Sequence, residues 1–87
     1  MALGDLPAAR DLMQRAIAID EKAYEPDHPN LAVSYWILGR IEEDDGNIDQ
    51  ARVLIERAHA IFLHRLGPEH PETQKYARWL SKDGGPS

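Results

Sequence analysis

The chain repeats itself at a spacing of 42 residues. When residues 4–38 are laid over residues 46–80, 12 of 35 positions are identical; chance would give roughly two at ordinary residue frequencies. All but one of the identities, Leu38 with Leu80, fall in two blocks. Gly4, Ala9, Arg10, Leu12, Arg15, Ala16, Ala18 and Ile19 recur as Gly46, Ala51, Arg52, Leu54, Arg57, Ala58, Ala60 and Ile61. Pro26, His28 and Pro29 then recur as Pro68, His70 and Pro71. A period of this length implies stacked supersecondary units, each covering its neighbour's apolar face. Arrays of that kind mostly bind other molecules rather than transform them.

Eighty-seven residues allow one small domain, which buries little over half of its unfolded surface. Cysteine is absent, so packing alone must hold the fold. The 43% apolar content suffices for a core, and 29% charged residues suit a wetted surface. A net charge of −5 argues against nucleic acid or an anionic membrane as partner. The start, Met1-Ala2-Leu3-Gly4-Asp5, lacks the basic and apolar regions of a signal peptide, so a cytoplasmic location is expected. The repeat begins almost at Met1 and breaks off near Ser81, which reads as a piece of a longer array.

The periodicity predicts four helices and an all-α fold. Asp5 is a plausible cap and Pro7 suits a first turn. Leu6, Ala9, Leu12, Met13, Ala16 and Ile19 then form one apolar stripe on a helix running to about Tyr24. Pro26 and Pro29 bracket a connector, and Pro29 opens a second helix over about residues 30–44. On that helix Leu31, Tyr35 and Leu38 share one face, and Val33, Trp36, Ile37 and Arg40 share the opposite one. Two apolar faces imply neighbours on both sides, or neighbours on one and a ligand on the other. The run Glu42-Glu43-Asp44-Asp45 reads as a solvated turn, stopped by a left-handed Gly46. Asn47 with Gln50 resembles a capping box for a third helix ending near Leu66. A fourth begins near Glu72 and carries Tyr76, Ala77, Trp79 and Leu80, followed by a mobile tail over 82–87.

These residues resemble the tetratricopeptide repeat. The family pattern is matched by Tyr35-x2-Leu38-Gly39, by Gly46 at the turn, and by Ala51-x3-Ile55 with Ala58. The earlier half-repeat shows Ala9, Met13 and Ala16 at the same spacing. The long period and the two His-Pro connectors are similar to the variant in kinesin light chains. The resemblance implies antiparallel helix pairs stacked into an α-α superhelix over residues 4–81. It divides them into a half repeat 4–28, a full repeat 29–70 and a half repeat 71–81. It also implies a concave face lined by the first helix of each pair, and a protein or peptide as partner. Carried over residue by residue, that face is Val33, Trp36, Ile37 and Arg40, with Glu43 and Asp44, then Lys75, Arg78, Trp79 and Lys82. Glu42 stands where the family usually has tyrosine. Trp36, Ile37, Arg78 and Trp79 stand where the long variant carries asparagines, which favours side-chain recognition over clamping of a peptide backbone. Tryptophans and basic residues suit a partner with bulky apolar and acidic side chains. The alternatives are packing of the two tryptophans on each other, or an assembly segment that self-associates, as a homodimer for example, through unfinished ends. Leu6, Met13, Tyr76 and Leu80 are the candidates for uncovered residues there.

Little in the chain points to catalysis, and no enzyme activity, cofactor or metal is expected. His28 and His70 are explained by repetition, and His59 and His64, five apart, share a helix face poorly. The serines are Ser34, Ser81 and Ser87, and Ser34 could meet a histidine only through tertiary contacts. Gly84-Gly85 is no phosphate loop, and the acidic run lacks calcium-loop spacing. Arg10, Arg15, Arg52 and Arg57 read as an exposed convex face with local ion pairs.

Overall fold

Helix boundaries follow the Pro, His and Gly punctuation closely. The computed structural model describes residues 6–84, with side chains described over 7–81. Its helices are α1 (Leu6–Ala23), α2 (Pro29–Asp44), α3 (Ile48–Leu66) and α4 (Pro71–Gly84). No strand occurs among the described residues. Asp5, the expected first cap, lies outside them, and α4 runs three residues past the end expected at Ser81.

Both connectors solve helix initiation in one way. Proline at the first helical position needs no hydrogen-bond acceptor and has its φ already set. The preceding histidine then caps the turn through its ring. His28 Nδ1 accepts from the Asn30 N–H at 3.1 Å, and His70 Nδ1 accepts from the Glu72 N–H at 3.1 Å. The repeated histidines are therefore caps, a role their sequence spacing left open. Gly46 and Gly67 close α2 and α3 with φ of 87° and 88°, a region that disfavours side chains. Asn47 occupies the N-cap position of α3, yet its side chain makes no cap bond. It donates instead to Glu42 Oε1 at 2.9 Å, so the expected capping box with Gln50 does not form.

The helices pack in chain order, α1 on α2, α2 on α3 and α3 on α4. Successive helices are antiparallel: Arg10 near the start of α1 meets Glu42 near the end of α2, and Glu21 near the end of α1 meets Tyr35. This is the α-α stack of a tetratricopeptide-like repeat. The core joins Leu31, Tyr35 and Leu38 of α2 to Leu54, Ile55, Ala58, Ile61 and Phe62 of α3, with Ile17 and Tyr76 at its margins. The α2–α3 contact is close. A β-carbon added to Gly39 would meet Ile55 Cγ1 at 2.7 Å and the Ala51 carbonyl at 3.3 Å.

Three expectations need correction. The α1 stripe divides: Ile17, outside it, is buried, and Leu12 and Ile19, inside it, face outward. At the ends, Tyr76 is buried and Met13 and Leu80 pack on the core, and Leu12 and Ile19 are the most exposed large apolar side chains among the described residues; the Leu6 side chain lies outside the described ones. The acidic run is not merely a solvated turn. Glu42 is buried and accepts from Arg10 Nε at 3.1 Å, and Arg10 also bonds Asp45. Arg10 is thus a tertiary tie, whereas Arg15–Asp11 and Arg52–Glu56 are the local pairs expected along a helix.

Two outcomes test this packing. His28→Ala and His70→Ala each cost about 1 kcal/mol, and His→Asn restores most of it, as measured by urea denaturation. Gly39→Ala gains about 1 kcal/mol of helix propensity but loses about 1–3 kcal/mol to overpacking, so it destabilises. Ile55→Ala then costs less in the Gly39→Ala background than alone, and equal cost in both would contradict the contact.

Candidate partner-binding face

Helices α2 and α4 lie side by side on one flank of α3 and run parallel. Their spacing leaves long side chains to bridge them. Trp36 stacks on Tyr76 with ring centroids 4.5 Å apart at 20°, and Tyr76 also meets Phe62 of α3 at 5.2 Å. The tryptophan ring of α2 is thereby held by α4. Lys75 Nζ lies 5.1 Å from the Trp36 ring centroid, and the Arg40 guanidinium lies 5.4 Å from it. A cation over an indole face contributes roughly 0.5–1 kcal/mol at an exposed site. Glu43 bridges further along, accepting from Arg40 Nε at 2.9 Å and from Trp79 Nε1 at 3.3 Å. The result is a cross-braced strip of Trp36, Arg40, Glu43, Lys75, Tyr76 and Trp79.

The structure brings most of the sequence-predicted residues together. Val33 and Ile37 are exposed apolar side chains on the same flank of α2 as Trp36 and Arg40. Trp36 and Trp79 are half-buried, and Asp44 is exposed. Lys75 and Arg78 are exposed and form no ion pair with the described residues. The Lys82 side chain lies outside the described ones. The tryptophans do not take each other as stacking partners: Trp36 takes Tyr76, and Trp79 spends its N–H on Glu43. Arg40 is less available than a basic wall requires, since Glu43 neutralises it. The sequence pattern places Tyr76, the residue that seats Trp36, among the end residues. Its counterpart one period earlier is Ser34, so repetition gave no signal for it.

Thr73 fixes the height of α4, donating its hydroxyl to the Phe62 carbonyl of α3 at 3.2 Å. Burial, with a smaller effect from Glu72, pushes the Tyr76 phenol up to about 12. Burial also raises Tyr35, whose hydroxyl donates to Glu21 at 2.7 Å. A separate open cleft of about 250 Å³ lies at the α1–α2 seam, lined by Glu21, Pro26, Leu31 and Tyr35. Among the described residues no group of three His, Asp or Glu side chains could hold a metal ion, and no helix is long and apolar enough to cross a membrane.

Stacked antiparallel helices with a braced, side-chain-rich flank define a helical-repeat protein. The tetratricopeptide repeat model matches residues 1–64, and the chain belongs to that family. It is similar to a clustered mitochondria protein homolog of Danio rerio, 31% identical over 70 residues. That match covers 80% of this chain and 5% of the relative. No solved structure gives a significant match. Tetratricopeptide repeats are in general protein-interaction modules rather than catalysts.

The raised Tyr76 predicts a stability change with alkali. A neutral phenol is favoured in the folded state, so its contribution is full below the unfolded value near 10 and is lost as pH rises towards about 12. Ultraviolet titration should show the last tyrosine ionising near 12 in the wild type, and that step should vanish in Tyr76→Phe.

Proposed function

We propose that the α2–α4 flank is a protein-interaction surface that takes an extended or helical peptide carrying bulky apolar and acidic side chains. One observation carries this reading: the apolar Val33 and Ile37 and the cations Lys75 and Arg78 are all exposed beside a rigid, half-buried Trp36. Rigid aromatics flanked by cations without ion pairs are what a hot spot requires, because little ordering entropy remains to be lost. Arg40 and Glu43 form the neutral rim, and Trp79 extends the surface along α4. The long period and His-Pro connectors favour the kinesin-light-chain-like subtype, with half repeats 4–28 and 71–81 around a full repeat 29–70. The reading carries no catalytic step, nucleic acid or membrane, and a cytoplasmic setting suits it. The activity and partners of any longer protein of this kind belong to the same proposal, since the chain spans 5% of the relative it matches.

An assembly role is the second reading, favoured by the outward-facing Leu12 and Ile19.

A peptide array of acidic and aromatic sequences tests the first reading. Lys75→Glu and Arg78→Glu should each weaken the best binder about fivefold or more, with helicity unchanged. Trp36→Ala should abolish binding and also lower the melting temperature, because its removal uncovers Tyr76. Binding that survives both charge reversals would remove the flank as the site.

A further inference from the structure

The cleft at the α1–α2 seam sets a charged rim over an apolar floor. Glu21 near the end of α1 and Pro26 in the connector are its exposed walls. Leu31 and Tyr35 of α2, both buried, form its floor. From α3, the exposed Arg57 brings its guanidinium to 5.8 Å from the Tyr35 ring centroid, and Arg65 donates to the Asp27 carbonyl of the connector. The cleft is thus bordered by α1, α2 and α3, on the face of α2 opposite Val33 and Trp36.

Repetition does not account for this lining. One period on, Leu63, Thr73 and Ala77 stand in place of Glu21, Leu31 and Tyr35, and only Pro26 recurs, as Pro68. The carboxylate and the phenol are particular to the first seam. Tyr35 donates to Glu21 Oε2 at 2.7 Å, which fixes the carboxylate at the cleft. A carboxylate offers about four lone-pair sites, and Glu21 forms no ion pair among the described residues. Its acidic neighbours are engaged: Asp20 accepts from Ser34, and Asp27 faces His64 and Arg65. Glu21 also stands in the last turn of α1, where the macrodipole favours a cation, as it does for the adjacent Lys22. Arg57 is the opposing charge, and it lies over Tyr35 rather than on Glu21.

We infer that this cleft takes the side chain of a lysine from a partner protein. The volume sets the size of the guest. Sites for drug-sized ligands run roughly 300–1,000 Å³, and this cleft, at about 250 Å³, suits one long side chain. The four-carbon stem covers Leu31 and Pro26 while the ammonium meets Glu21 Oε1. An ammonium needs one carboxylate oxygen, whereas the fork of an arginine calls for two, and Tyr35 already holds the other. The site lies across α2 from the α2–α4 flank, so either can fail without the other.

The probe is N-acetyl-lysine amide titrated into the intact chain, with binding followed by backbone amide chemical shifts. The amides of Glu21, Leu31 and Tyr35 should move saturably. N-acetyl-norleucine amide, which keeps the stem and lacks the ammonium, should bind at least about threefold more weakly, the scale of one exposed ion pair. Glu21→Gln should cause the same loss. It leaves Tyr35 an acceptor, so an unchanged circular dichroism signal separates binding from folding. Arg57→Ala should tighten lysine by removing the competing cation. No saturable shifts, equal binding of norleucine, or binding indifferent to Glu21→Gln would overturn the inference. Weaker binding to Arg57→Ala would overturn it too, as would tighter binding of N-acetyl-arginine amide, which gives the cleft to a guanidinium.

Discussion

The close approach of α2 to α3 at Gly39 is the contact on which the other packing depends. With no β-carbon there, the α2 backbone settles onto Ala51 and Ile55. That depth buries Tyr35 and Leu38 and leaves the opposite side of α2 facing α4's side chains. Alanines at 51 and 58 serve the same end from α3. A chain with no cysteine has only such packing to draw on, and small residues at one seam let larger ones fill the rest.

Polar groups then lock the stack at its edges rather than in its middle. Arg10, Glu42, Asp45 and Asn47 tie the start of α1 to the α2–α3 turn, which satisfies the buried Glu42 carboxylate. Arg65 Nε donates to the Asp27 carbonyl at the other end, 3.1 Å away, joining α3 to the first connector. Between α2 and α4 the braces are aromatic and cationic. They hold Trp36 and Trp79 in place and leave Val33, Ile37 and Arg78 exposed.

Much of this was legible in the sequence, for identifiable reasons. Proline and glycine act locally, so the ends of α2, α3 and α4 could be placed within a few residues. The two-faced character of α2 was legible because Leu31, Tyr35 and Leu38 keep helical spacing. What periodicity could not tell was which side of α1 has a partner. The stripe through Leu12 and Ile19 is real, but α2 packs on another side of α1, that of Ile17, which His59 matches one period later. Nor could it reveal Glu42 as buried, because its cation, Arg10, is 32 residues away along the chain. The histidine caps were hidden for another reason: histidine is not among the side chains that usually cap helices.

Hydrogen exchange followed amide by amide tests the central claim that the α2–α3 pair carries the stack. The account predicts slowest exchange over residues 31–42 and 51–62, with intermediate protection in α4, anchored by Thr73 and Tyr76, and the fastest helical exchange in α1, which meets only α2 among the described helices. Protection of α1 equal to that of α3, or an α2 that exchanges before α4, would contradict it.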